Sequence, residues 1–167
     1  VDDQGIGYIR IKKFSKNTAK DFGNALRDLN LIDEKMKGLV IDLRGNSGGL
    51  LSNAINILDR LTERGVNLLN TKGRIAKSNK TMNSRRAPNL NIDIPIAVLI
   101  NKSSASASEI VAGVIQDLDR GIIIGTKSFG KGLVQSMYNL NDTTTLKVTT
   151  AKYYMPYSDR LIQKEDY

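Results

Sequence analysis

The sequence predicts an α/β fold of strand-helix units that ends in a β-hairpin, and three observations carry that prediction. Apolar runs of strand length, Leu39 to Leu43 and Ile96 to Ile100, alternate with segments whose apolar residues recur at helical spacing. Small-residue turns follow the strands directly, at Arg44 to Gly49, Lys102 to Glu109 and Gly125 to Gly132. Near the end, Leu133 to Leu140 and Thr144 to Tyr154 alternate around Asn141-Asp142, which is a hairpin pattern.

Taken in order, Ile6, Tyr8, Ile9 and Ile11 read as a first strand. Asn17 or Thr18 then caps a helix with Ala19, Phe22, Ala25, Leu26 and Leu29 on one face and Asp21 in its first turn. Leu39 to Leu43 is expected to be buried on both faces, as in a parallel sheet, and the helix after its glycine turn carries Leu50, Leu51, Ala54, Ile55, Leu58 and Leu61. Val66 to Asn70 reads as a strand and is followed by a basic loop reaching about Pro95. Ile96 to Ile100 is a buried strand, the helix beyond it carries Ile110, Val111, Val114, Ile115 and Leu118, and Ile122 to Ile124 is a short buried strand. No second domain, repeat or linker is visible, so residues 1–167 are expected to form a single domain.

The 167 residues are 40% apolar and include neither cysteine nor histidine. Catalysis in such a chain runs on Ser, Thr, Lys, Asp, Glu or Tyr, with no thiol nucleophile, imidazole base or usual zinc site, and neither a metal nor a cofactor is expected. No apolar run approaches the roughly 20 residues that span a bilayer. Val1-Asp2-Asp3-Gln4 does not read as a signal peptide, and Val1 is not an initiator Met, so the chain is expected to be a piece of a longer or processed protein. The net charge is +8, and Lys72, Arg74, Lys77, Lys80, Arg85 and Arg86 lie in one stretch without an acid. That stretch has no aromatic residue to stack on bases and no helical period, so a solvated, mobile loop is expected rather than a nucleic-acid surface.

The serine stretch is where chemistry is best placed. Small residues between a buried strand and a helix let a substrate approach, and the first turn of a helix leaves amide N–H groups free for an oxyanion. Ser106 followed by Glu109 also reads as a capping box, which needs no chemistry. A serine nucleophile needs a base, and without histidine lysine is the most capable one left. An exposed lysine ammonium, near ~10.4, is useless at neutral pH and must be buried to serve. Lys131, between Gly130 and Gly132, is the lysine placed for that, and Gln135 on the same strand face can accept its hydrogen bond.

Asp42-Leu43-Arg44-Gly45-Asn46-Ser47-Gly48-Gly49, Ser104-Ala105-Ser106-Ala107-Ser108-Glu109-Ile110 and Gly125-Thr126-Lys127-Ser128-Phe129-Gly130-Lys131-Gly132-Leu133-Val134-Gln135, in that order, resemble the carboxyl-terminal processing peptidases, or tail-specific proteases. The similarity extends from about Gly7 to Gln163. It implies a ClpP/crotonase-like fold and a serine endopeptidase that cuts proteins near their C-termini with a Ser/Lys dyad. The resemblance puts the nucleophile on Ser106, the base on Lys131 and the lysine-orienting glutamine on Gln135. It puts the oxyanion hole on the amide of Ala107 with that of Gly48 or Gly49, and an acidic position that affects activity on Asp117. Ser47 stands where the family usually has proline. The resemblance further implies a substrate with an apolar C-terminus, a PDZ domain in the parent chain, and an exported parent in a periplasm or cell envelope.

Two other readings compete. Relatives of this fold include retinoid-binding repeats, so a non-catalytic domain that holds peptides or hydrophobic ligands is the alternative. The intact set Ser106, Lys131 and Gln135 favours the enzyme. Nucleic-acid binding through the basic stretch ranks last and would weaken steeply with salt.

Overall fold

A computed structural model describes residues 3–32 and 36–162, so Val1, Asp2 and Gln163 lie outside the described residues. It contains two four-stranded sheets. The first is wholly parallel: β1 (Ile6–Arg10), β2 (Gly38–Asp42), β5 (Ile96–Ile100) and β6 (Gly121–Gly125) lie side by side in that order. Parallel strands need crossovers, and these contain α1 (Thr18–Ile32), α2 (Leu51–Leu58) and α3 (Ala107–Asp117). The second sheet is antiparallel, in the order β4 (Lys80–Asn83), β3 (Asn67–Lys72), β8 (Thr145–Tyr154), β7 (Leu133–Asn139). The expected α/β architecture and terminal hairpin are therefore present.

Each helix turns its apolar stripe inward. Ala19, Phe22 and Leu26 of α1, Ala54, Ile57 and Leu58 of α2, and Ile110, Val111, Val114 and Ile115 of α3 are buried against Leu39, Ile41, Ile96 and Val98 of the parallel sheet. At roughly 1.5–3 kcal/mol for each large side chain, this burial is the main force holding the layers together. The opposite face is open, with Tyr8 49%, Ile122 63% and Ile124 48% exposed. This corrects the expectation that Ile122 to Ile124 is buried: β6 is an edge strand covered on one face only. On β2, too, Val40 is half-buried rather than buried.

The basic stretch is also more ordered than expected. Lys80 to Asn83 pairs antiparallel with β3 after a 3-10 turn at Ala76–Ser78, and Asp59 accepts the backbone N–H of both Arg85 and Arg86. Its charged residues hid a strand pattern only four residues long.

Because β2, β5 and β6 are neighbours and parallel, their carboxyl ends lie at one edge of the sheet. The three loops singled out in the sequence leave from that edge, where sites of α/β sheets form.

Candidate active site

Ser106 immediately precedes α3 with φ 55° and ψ −113°, a backbone conformation that side-chain-bearing residues rarely adopt. Holding it costs on the order of 1–3 kcal/mol, so the surroundings must enforce it. They do so from both sides. The Ser106 N–H donates to Glu109 Oε2 at 2.8 Å, within a capping box, and the preceding Ala105 N–H donates to the Asn46 carbonyl at 3.0 Å. Capping and a strained, half-buried serine, rival readings of the sequence, coexist here.

Asn46 is fully buried and joins the glycine turn to its neighbours. Its Nδ2 donates to the Ile11 carbonyl at 2.7 Å, its Oδ1 accepts the Gly48 N–H at 2.8 Å, and its carbonyl accepts Ser108 Oγ at 2.9 Å. The turn then passes directly beneath the serine. A Cβ on Gly48 would lie 2.6 Å from the Ala105 oxygen and 2.9 Å from Ser106 Cβ, and φ of +98° excludes most other residues as well. Gly48 has already given its N–H to Asn46. The amides of Gly49 and Ala107 have no protein acceptor among the described residues.

The third loop is fastened to the same helix. Glu109, only 5% exposed, accepts Ser128 Oγ at 2.7 Å and Gly130 N–H at 2.5 Å on Oε1, and Lys131 N–H at 2.8 Å on Oε2. Phe129 N–H donates to the Ser104 carbonyl at 3.0 Å, and Ser104 Oγ donates to the Leu43 carbonyl at 2.9 Å. Ser106, Gly48, Gly49, Ala107 and the Lys131 backbone are thus brought together. The Lys131 side chain points to solvent without a hydrogen bond to Ser106, and Gln135 is exposed on β7.

Asp117, at the far end of α3, is not among them. Its Oδ2 accepts the Tyr157 N–H at 2.7 Å and the Ser158 N–H at 3.2 Å. Burial pushes its carboxyl up, but the hydrogen bonds from Ser158 and Tyr157 outweigh that and hold it below its ordinary range. At the β2 end, Asp42 is buried under Arg44, whose Nε and Nη2 both donate at 2.9 Å, and Tyr8, whose hydroxyl donates at 2.5 Å. Arg44 above all holds the Asp42 carboxyl far below the usual carboxylate range. A groove of about 960 Å³ lies at the opposite, amino-terminal edge of the parallel sheet and shares only Asp117 and Tyr157 with the residues named in this site.

The pattern described as Peptidase family S41 matches residues 5–166. The chain belongs to that family. It is 46% identical over 154 residues to a carboxy-terminal-processing protease of Bartonella bacilliformis, covering 90% of this chain and 35% of that protein. It is 39% identical to a carboxyl-terminal-processing protease of a Synechocystis strain, covering 92% of this chain and 34% of the relative. A solved photosystem II D1 C-terminal processing protease superposes with a TM-score of 0.82 at 33% identity, over 95% of this chain and 39% of that one. The S41 chain therefore spans about a third of the length of these curated relatives. The tricorn protease, at a TM-score of 0.51 and 18% identity, shares the fold.

Asn46, Ser104 and Ser108 were not singled out in the sequence as site residues, and Glu109 was read only as a cap. Their signal was present but ambiguous: small polar residues in turns usually bond locally, whereas Ser104 and Ser108 reach partners 61 and 62 residues away.

Proposed function

We propose that this S41 chain is the catalytic core of a serine endopeptidase that cleaves polypeptides near their C-termini, with Ser106 as nucleophile and Lys131 as general base. The observation that carries the proposal is the strained Ser106 at the head of α3, beside the amides of Ala107 and Gly49, which have no acceptor among the described residues. Since the Gly48 N–H is committed to Asn46, Gly49 is the better second oxyanion donor.

Ser106 Oγ attacks the scissile carbonyl as neutral Lys131 takes its proton. The two amides receive the developing oxyanion, and losing one such donor costs on the order of 100-fold to 1000-fold in rate. The leaving amine takes the proton, and water activated by the same lysine releases the acyl group. The lysine side chain need not touch the serine beforehand, since catalytic hydrogen bonds often tighten only with substrate bound, and a polypeptide lying over the amine would strip its water and favour the uncharged form. Gln135 orients the amine, while Asp117 supports the site indirectly by anchoring Tyr157 and Ser158. The family resemblance supports an apolar substrate tail, a PDZ domain in the parent protein and a periplasmic or envelope location.

The test is cleavage of an unstructured protein with an apolar C-terminus between pH 6 and 10. Activity that rises with pH and disappears in both Ser106→Ala and Lys131→Ala is expected. A folded wild-type chain that binds the protein without cutting it would favour the non-catalytic reading instead.

A further inference from the structure

Among the described residues β7 is an end strand of its sheet, and its free edge begins two residues beyond Lys131. Two hydrogen bonds fix which backbone groups face that edge. Gly132 gives its carbonyl to the Tyr153 N–H at 2.9 Å, and Leu140 gives its N–H to the Thr144 carbonyl at 2.9 Å, so even-numbered residues point toward β8. In an antiparallel pair the roles alternate; the register shifts once, between Val134 and Gln135, but the extra residue, Thr150, lies on β8, and the two flanking bonds agree that the alternation along β7 is kept. The N–H and C=O groups of Leu133, Gln135, Met137 and Asn139 therefore face outward.

Exposed edges invite pairing with other chains, and proteins normally blunt them with charge or brevity. The other end of the same sheet follows this rule, since β4 is four residues long and begins with Lys80. β7 does not. Its seven residues, Leu-Val-Gln-Ser-Met-Tyr-Asn, include neither a charge nor a proline, and Met137 is 71% exposed. An unguarded edge that starts at the candidate general base suits an extended polypeptide.

We propose that the substrate polypeptide binds by adding a strand to the free edge of β7, one end at Lys131 and the other toward Asn139. This deepens the peptidase reading and rests on it for the identity of the occupant. Main-chain pairing supplies affinity with little dependence on sequence, and only every second substrate side chain meets the face carrying Leu133, Gln135 and Met137. At about 3.3 Å per residue, the strand accommodates roughly seven substrate residues on one side of the cleaved bond.

The test is binding of a fluorescent peptide with an apolar C-terminus to Ser106→Ala, which separates binding from cleavage. Met137→Pro removes an outward N–H and blocks pairing without touching the β8 ladder, and is expected to weaken binding about tenfold. N-methylation along the peptide should weaken binding at alternate amides only, a readout that does not depend on how well the proline variant folds. No binding, or N-methyl effects without a period of two, would overturn the proposal. So would a peptide-free dimer that Met137→Pro dissociates, because the edge would then belong to a second copy. If wild type cleaves but the period is absent, strand addition fails and the peptidase reading stands. If periodic binding persists in a chain that never cleaves, the reverse holds.

Discussion

Glu109 grips Lys131 by its backbone: Oε2 accepts the Lys131 N–H at 2.8 Å while the lysine side chain stays in solvent. The same oxygen accepts the Ser106 N–H at the same distance, so one buried carboxylate sets the spacing between candidate nucleophile and base. Glu109→Gln places an amide NH₂ where two donors converge. With each unsatisfied buried group costing about 1–3 kcal/mol, a measurable drop in Tm is expected. Cleavage should fall on the order of 100-fold, mainly in kcat, as for a misplaced catalytic group. A folded variant with wild-type kcat would show that Glu109 is only a helix cap.

Ser106 sets stability against placement. Glycine tolerates φ near 55°, so Ser106→Gly should relieve strain and stabilise the chain by about 1 kcal/mol, whereas Ser106→Ala, which keeps a Cβ, should not. Denaturant unfolding of the two variants checks this. Equal stabilities would mean that the conformation carries no strain.

Two glycines of one turn should respond differently to alanine. Gly45, at φ +76°, has nothing within 4 Å of an added Cβ, so Gly45→Ala should cost only the conformational penalty of about 1–2 kcal/mol and leave cleavage largely intact. Gly48→Ala drives a methyl into Ala105 and Ser106 and should lose activity along with more stability. Comparable losses in both would refute the close approach beneath Ser106.

Acid should weaken the fold through Asp42. Its folded carboxyl lies below the unfolded value of about 3.9, so its contribution is full above that value and fades as pH falls toward the folded one. The wild-type chain should therefore lose stability below about pH 4 more steeply than Asp42→Asn, which lacks that titration. Parallel curves of stability against pH for the two proteins would contradict this assignment.

Much of this was legible in the sequence because the signals were local. Leu39 to Leu43 and Ile96 to Ile100 announced β2 and β5 by composition, and the turns after them announced where loops converge. The exposure of Ile122 and Ile124 was not legible, since an apolar triplet looks the same whether one face or both are covered. Lys80 to Asn83 escaped because charge on an edge strand resembles charge in a loop. The convergence of Ser106, Ser128, Gly130 and Lys131 on Glu109 depends on tertiary placement that a capping pattern cannot express.

The ties Ser104 to Leu43 and Ser108 to Asn46 join residues more than sixty positions apart, and Glu109 waits for a loop 19 to 22 residues downstream. A partly synthesised or misfolded chain can thus hold Ser106 and still lack everything that would make it reactive. The peptidase activity proposed above should therefore appear last in folding and vanish first on local unfolding, which would guard surrounding proteins while the chain is being made.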